Sequence, residues 1–273
     1  MNSQNTLRTG DHGADVTVLQ TRLVRAGYRV SADGWFGPAT ETAVRSFQRD
    51  HSQVVDGIAG PRTQAALTGQ FDTRALTQRD IDRAAATLDC DPAAINAVIE
   101  VESPRSGFLP DGRVMILFER HIFWKQLLTA GIDPTSVHAP ASILSQQRGG
   151  YLGGAAEYQR LTLALAISTE CALASCSWGR FQIMGYHAES LGYANVQAMA
   201  TAFATQGEAE QLAAFVKFVQ LDPDMLKALR SRKWAAFAKL YNGPAYAANL
   251  YDAKLASAYA RHSAAISATA VAA

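Results

Sequence analysis

The chain has 273 residues, 48% of them hydrophobic, enough to bury the core of one large domain or two moderate ones. Its 25 Lys and Arg are interspersed with 24 Asp and Glu for a formal net charge of +1, so no field of one sign draws it to nucleic acid or to an anionic membrane. No apolar run reaches the roughly eighteen residues of a membrane span, and the opening MNSQNTLRTGDHGADV lacks the basic and apolar segments of a secretory signal, which predicts synthesis and folding in a cytoplasm.

The first predicted helix is VTVLQTRLVRAGY, with Val16, Leu19, Leu23 and Val24 on one face and Gly27 as its stop. Next comes DGWFGPATETAVRSFQ, from Asp33, echoed by DGIAGPRTQAAL from Asp56. Each copy joins an Asp-Gly turn to a Gly-Pro break and a Thr suited to capping the helix behind it. Those helices carry Ala43, Val44 and Phe47 on one face in the first case and end at Gly69 in the second. Trp35 and Phe36 stand where the second copy has Ile58 and Ala59; they either seal a small core or offer a stacking surface to a sugar or peptide.

Residues 7–69 resemble the peptidoglycan-binding type 1 domain, carried by LRTGDHGADVTVLQTRLVRAGY and the two DG-x-x-GP-x-T loops. The resemblance implies a non-catalytic anchor for bacterial cell wall, with Asp33, Trp35 and Phe36 of the first loop as wall-binding residues.

A polar connection over 70–90 becomes helical, with Thr77 and Asp80 spaced as a capping pair, and the domain boundary is placed near Gln70–Arg79. In DPAAINAVIEVESPRSGF, Asp91 or Asp89 caps, Pro92 suits the first turn, and Ile95, Val98, Ile99 and Glu102 fall near one face until Pro104 ends the helix. Glu102 thus combines an apolar edge with the negative end of a helix dipole. Both oppose ionisation, and a carboxyl kept protonated is what a general acid for glycosidic cleavage needs. VMILF reads as half of a hairpin with Glu119 at its exit. Glu119, or else Asp111, is the candidate for a second carboxylate that activates water or stabilises an oxocarbenium-like transition state; a plain salt bridge to Arg120 or Arg113 is the alternative.

Residues 154–173 read as one apolar helix, the core spine. In SWGRFQIMG, Gln182 is isolated among Phe181, Ile183 and Met184; it either pairs with backbone groups or presents its amide to a sugar. AEQLAAFVKFVQ and MLKALRSRKWAAFAKLYNGPAY predict two further amphipathic helices. The basic stretch Lys227–Lys233 is read as a solvated face, with disturbance of an anionic outer membrane as its alternative, and Tyr241-Asn242-Gly243-Pro244 is a helix stop. The C-terminal SAAISATAVAA reads as a frayed helix or tail. Cys90, Cys171 and Cys176 form no CxxC pair and read as buried thiols.

Glu102-Ser103, GRFQIMG and LYNGP stand in the order of the motifs of the lysozyme-like superfamily of peptidoglycan-cleaving glycosidases, with Leu240 where that superfamily usually has Ala. VESPRSGF, ILFERHIF and SWGRFQIMG more closely resemble the N-acetylmuramidase domain of modular phage endolysins, with Pro104 in place of its usual Gly. The resemblance implies a mainly α protein: a small three-helix wall-binding domain (1–70), a linker (71–79), a larger lysozyme-like α+β domain with a short β-hairpin (80–265), and a tail (266–273). It implies Glu102 as general acid and Gln182, Tyr241, Asn242, Ser103 and Phe181 as substrate-binding residues, with Glu119 carried over from the endolysin-like group alone. It further implies hydrolysis of the β-1,4 bond between N-acetylmuramic acid and N-acetylglucosamine by a monomer without metal or organic cofactor. Synthesis would be in a host cytoplasm, with a holin delivering the enzyme to periplasmic peptidoglycan and no stable membrane insertion. The rivals are a lytic transglycosylase forming 1,6-anhydro products and a non-catalytic wall-binding protein.

Overall fold

The computed structural model describes residues 6–102, 106–243 and 250–271. Packing divides the chain into two units, Met1–Ala97 with Arg232–Ala273, and Val98–Ser231.

The first unit opens with α1 (Ala14–Arg25), α2 (Pro38–Asp50) and α3 (Pro61–Ala66). Both α2 and α3 start on a proline, whose missing N–H has no intrahelical partner to lose at that position. Val16, Leu19 and Leu23 of α1 pack with Ala43, Val44 and Phe47 of α2, with Ala66, and with Phe36 and Ala59 from the repeated loops. Val24, expected on the buried face, is exposed; it lies one residue past Leu23 and so about 100° round the helix. The fourth place in the buried stripe belongs to Gln20, which completes the i, i+3, i+4, i+7 pattern with Val16, Leu19 and Leu23.

Gln20 and its counterpart Gln48 on α2 hold the two loops. Gln20 Nε2 donates to Asp33 Oδ1, the Trp35 carbonyl and Thr40 Oγ1 at 2.8, 3.0 and 2.9 Å, while its Oε1 accepts the Gly34 N–H at 2.8 Å. Gln48 Nε2 donates to Asp56 Oδ1, the Ile58 carbonyl and Thr63 Oγ1 at 2.7, 3.0 and 3.2 Å, and its Oε1 accepts the Gly57 N–H at 2.9 Å. The repeat seen in the sequence is therefore a repeat of backbone anchoring.

Helix α4 (Gln78–Leu88) begins at the expected capping pair: Thr77 Oγ1 accepts the Asp80 N–H at 3.3 Å and Asp80 Oδ2 accepts the Thr77 N–H at 3.0 Å. Helix α5 (Pro92–Glu102) follows, with Asp91 Oδ1 accepting the Ala93 N–H at 2.9 Å. Ala93, Ala94, Ile95, Ala97, Val98 and Ile99 are all buried, so this helix is enclosed on more than one face.

The second unit contains β1 (Ile116–Phe118), α6 (Arg120–Thr129), α7 (Glu157–Leu165), α8 (Thr169–Ala174), β2 (Cys176–Trp178), β3 (Ile183–Met184), α9 (Val196–Gln206), α10 (Glu208–Leu221) and α11 (Pro223–Arg230). The strands form an antiparallel sheet in the order β1-β2-β3. The hairpin expected at VMILF forms around the Asp111-Gly112 turn, where Val114 bridges antiparallel to Phe108 and the Leu109 N–H donates to the Arg113 carbonyl at 2.8 Å; β1 itself pairs with distant β2, Ile116 opposite Trp178, and β2 turns back into β3. The apolar stretch 154–173 is not one helix: it breaks after α7, and Ser168 Oγ accepts the Cys171 N–H at 3.4 Å to start α8 afresh. Helix α9 has no counterpart among the expected elements.

The chain returns to the first unit with α12 (Trp234–Asn242) and α13 (Tyr251–Val271). The helix expected over 225–246 is therefore α11 and α12, separated where Arg232 takes a left-handed φ of 55°. No disulfide joins Cys90, Cys171 and Cys176; Cys171 and Cys176 are buried and Cys90 is half-buried.

Candidate active site

Strand pairing sorts the small sheet into two faces. Ile116, Phe118, Cys176, Trp178 and Ile183 are buried on one, while Leu117, Ser177 and Met184 share the other. Glu119 extends the ladder, its N–H donating to the Ser175 carbonyl at 2.9 Å, and by the two-residue period falls on the Leu117 face. Gln182 joins that face: its Oε1 accepts the Ser177 hydroxyl at 2.8 Å and its Nε2 donates to the Gly179 carbonyl at 2.8 Å. These bonds hold Gln182 at φ 49°, a left-handed conformation that costs a non-glycine residue about 1 kcal/mol or more. The second unit thus brings Glu119 and Gln182 to the same side of one sheet.

Glu119 stands just before α6 and is 6% exposed. The Tyr151 hydroxyl lies 2.8 and 3.0 Å from its two oxygens and donates to the carboxyl; His121 Nδ1 lies at 3.1 Å and the Arg148 guanidinium at 3.7 Å. Burial, together with the Glu119 contact, pushes the Tyr151 hydroxyl above its ordinary range. Burial pulls His121 below 6.5 despite Glu119, with Arg148 and Lys125 adding to the fall. Neither salt bridge weighed from the sequence is made by Glu119. Arg120 donates instead to the Ala141, Gln147 and Arg148 carbonyls. Arg113 binds Asp111 through two bonds of 2.6 and 3.0 Å, an exposed pair that holds the Asp111 carboxyl below the usual range.

The segment presenting Tyr151 has little helix or strand, yet it is tightly held. Besides Arg120, the buried Arg160 donates to the Ser142 carbonyl at 2.6 and 3.0 Å and to Phe118 O at 2.7 Å. Its partner Glu157, 0% exposed and 2.7 Å away, accepts the Leu152 and Gly153 N–H groups at 2.6 and 2.8 Å. Burial alone would raise the Glu157 carboxyl, but these N–H groups and Arg160 hold it below its ordinary value.

Two expected binding residues are core instead. Phe181 is 3% exposed and stacks on Phe215 at 4.8 Å, because its place in the turn points it into α10. Phe36 is fully buried among α1 and α2, so its ring closes the small core and presents nothing to a wall polymer. Trp35, its neighbour, is 56% exposed and lies across Gly37, where a Cβ would stand 2.5 Å from the ring. Asp33 is exposed, but its Oδ1 already accepts from Gln20 and from the Trp35 N–H at 2.9 Å, which lower its pKa.

Glu102 is the last residue of α5; its side chain, and all of Ser103, lie outside the described residues. Tyr241 and Asn242 close α12 in the first unit, half-buried, with the Tyr241 ring parallel to Phe237 at 5.7 Å. Sequence reasoning passed over Tyr151, His121 and Arg148; the one local signal was the glycine-rich QQRGGYLGG around Tyr151. Among the described residues no three His, Cys, Asp or Glu side chains converge to hold a metal ion, and no helix is long and apolar enough to cross a membrane.

The N-acetylmuramidase family model matches residues 91–263, and the chain belongs to that family. A peptidoglycan binding domain model matches residues 12–67, the stretch built on the two glutamine-held loops. The crystal structure of the Burkholderia AP3 phage endolysin superposes with a TM-score of 0.90 at 53% identity, covering 96% of this chain and 99% of that one. Among curated proteins, the spore cortex-lytic enzyme of Halalkalibacterium halodurans is 40% identical over 83 residues, 28% of this chain and 25% of the relative. The zinc D-Ala-D-Ala carboxypeptidase of Streptomyces albus G is 46% identical over 63 residues, 21% of this chain and 24% of the relative. The chain thus spans about a quarter of the length of these curated relatives.

Proposed function

We propose that the chain is an endolysin: it anchors to peptidoglycan through its N-terminal loops and hydrolyses the β-1,4 bond between N-acetylmuramic acid and N-acetylglucosamine. The observation that carries this reading is its likeness, over nearly the full length of both chains, to a phage endolysin, combined with membership of the N-acetylmuramidase family. The curated relatives bear names of different activities and share only short stretches, as expected if the common part is the wall anchor and not the catalyst.

In this reading Glu102, at the carbonyl end of α5, protonates the oxygen leaving the sugar. The electron pair of the breaking C–O bond stays on that oxygen, and positive charge develops on the sugar ring. Glu119 lies on the sheet face shared with Gln182, and we assign it the stabilisation of that charge; Gln182 orients the adjoining sugar. A water then adds to the anomeric carbon and passes its proton to the Glu102 carboxylate, which restores the acid. Ser103, Tyr241 and Asn242 are assigned to substrate contact on the motif resemblance alone. Trp35 supplies a stacking face beside Asp33 for the anchor. Tethering raises the local concentration of catalyst at an insoluble polymer.

Mass spectrometry of digested sacculi tests the reaction. Fragments that have gained one water are expected, and 1,6-anhydro ends would replace hydrolysis by transglycosylation. Separately, Glu102→Gln is expected to retain sacculus binding and lose lysis.

A further inference from the structure

Helix α10 begins with two polar side chains turned inward, Glu208 and Gln211, at 1% and 0% exposure. Spaced i and i+3, they share one face of its first turn. Glu208 Oε1 accepts the Ser106 hydroxyl at 2.9 Å and the Gly107 N–H at 2.8 Å; its Oε2 accepts from Arg180 Nη1 at 3.0 Å. Gln211 Oε1 accepts the Arg180 backbone N–H at 2.7 Å. The same carboxamide occupies the space that a Cβ on Gly107 or Gly179 would need, Cδ standing 2.7 Å from the Gly179 position. Met115, just before β1, completes the tie: its N–H donates to the Gly107 carbonyl and its carbonyl accepts the Gly179 N–H, both at 2.8 Å.

The segments joined in this way are the chain a few residues beyond Glu102 and the β2–β3 turn that carries Gln182. Gln211 Nε2 finds no acceptor among the described residues, and a buried unpaired amide opposes folding.

We infer that Glu208 and Gln211 are positioning residues for the reaction: they fix Ser106 and Gly107, a few residues beyond Glu102 in the chain, against the Gln182 turn and so set the approach of Glu102 to the sugar that Gln182 orients. The inference rests on the reading of Glu102 as the acid. Its physical basis is that charge-assisted bonds in a buried site are stiff, and that displacement of a reacting group by about 1 Å is enough to slow a reaction about a hundredfold.

The test uses the full-length protein with Ser106→Ala and Glu208→Gln, and Glu210→Gln as control. Glu210 lies in the same turn of α10 but accepts from the Tyr193 hydroxyl at 2.5 Å. Two quantities are measured: kcat and KM on purified sacculi, and the exchange rate of the Gly107 amide hydrogen. Ser106→Ala and Glu208→Gln are expected to lower kcat about tenfold at a KM within about twofold, and to speed Gly107 exchange about tenfold, while Glu210→Gln changes none of these. Faster exchange without loss of kcat overturns the positioning role, and so does an equal loss of kcat in the control. Unchanged exchange in both variants overturns the clamp itself. Should Glu208→Gln not fold, Ser106→Ala, which deletes one hydroxyl, is decisive alone. Failure of the acid reading shows elsewhere, as lysis retained by Glu102→Gln, and is scored independently of these variants.

Discussion

Gln20 and Gln48, on successive helices, make the same four hydrogen bonds to two loops of the same form, each closing an Asp-Gly turn around a buried amide. Replacing either by alanine removes the partner of a loop glycine N–H, Gly34 in one case and the buried Gly57 in the other, and three further bonds with it. Gln20→Ala and Gln48→Ala are each expected to cost roughly 2–3 kcal/mol, measured by denaturant unfolding of the full chain. A loss within experimental error of zero at both sites would mean that water satisfies the loops equally well.

Trp35 and Phe36 are adjacent yet face opposite ways, so their substitutions separate binding from stability. Phe36→Ala empties a fully buried site and is expected to destabilise the first unit by about 3–5 kcal/mol. Trp35→Ala is expected to leave the unfolding midpoint nearly unchanged while reducing co-sedimentation with sacculi. Equal binding by Trp35→Ala and the parent chain would remove Trp35 from the anchor.

The sequence displayed most of the local structure and little of the long-range pairing. Pro92 behind Asp91, the Thr77–Asp80 pair and the Gly-Pro starts of α2 and α3 were legible because each acts within a few residues. The partner of β1 was not, since Ile116 meets Trp178 only once the intervening helices have packed. Gln20 gave a signal that went unread: a polar residue in the apolar stripe, followed at a distance by Asp-Gly. The burial of Phe181 and Phe36 is not legible, because an aromatic residue in a loop looks the same in sequence whether it points inward or outward. Glu208 and Gln211 sit in a helix whose amphipathic pattern gave no hint that two distant segments converge on it.

Glu119 and Tyr151 offer a graded test of the second carboxyl. Glu119→Gln keeps the shape but removes the charge, and is expected to lower kcat on sacculi about a hundredfold. Tyr151→Phe removes only the hydroxyl that orients the carboxyl, and about a fivefold loss is expected. If Glu119→Gln retains full kcat, Glu119 serves the fold alone.

His187 lies tilted against Tyr186 at 4.4 Å and meets Phe218 edge-on at 5.1 Å, and burial pulls its pKa below 6.5. Below pH 6.5 the unfolded chain takes up the proton first, so the stability that neutral His187 supports is present above 6.5 and declines as pH falls towards the folded value. The slope from this one group is at most about 1.4 kcal/mol per pH unit. Unfolding measured between pH 5 and 7, values chosen to bracket the ordinary histidine range of about 6.5, should show a shallower decline in His187→Phe than in the parent chain. Parallel curves would exclude His187 as a source of acid sensitivity.

The pair formed by Glu157 and Arg160 is fully interior, so removing one partner leaves an uncompensated charge. Glu157→Ala is expected to destabilise by about 3–5 kcal/mol, with little change between low and high salt. A loss that vanishes in salt would instead place the pair in contact with solvent.

That pair also bears on how a substrate meets the enzyme. Arg120, Arg160 and Glu157 tether the stretch from Ala141 to Gly153 at carbonyl and amide groups along its length. Such a stretch is held as a preformed ledge and not as a free flap, with Leu152 exposed on it and Tyr151 partly exposed, its hydroxyl turned in to Glu119. A glycan strand would therefore be selected by the shape it already has, and little ordering of the protein would accompany its arrival.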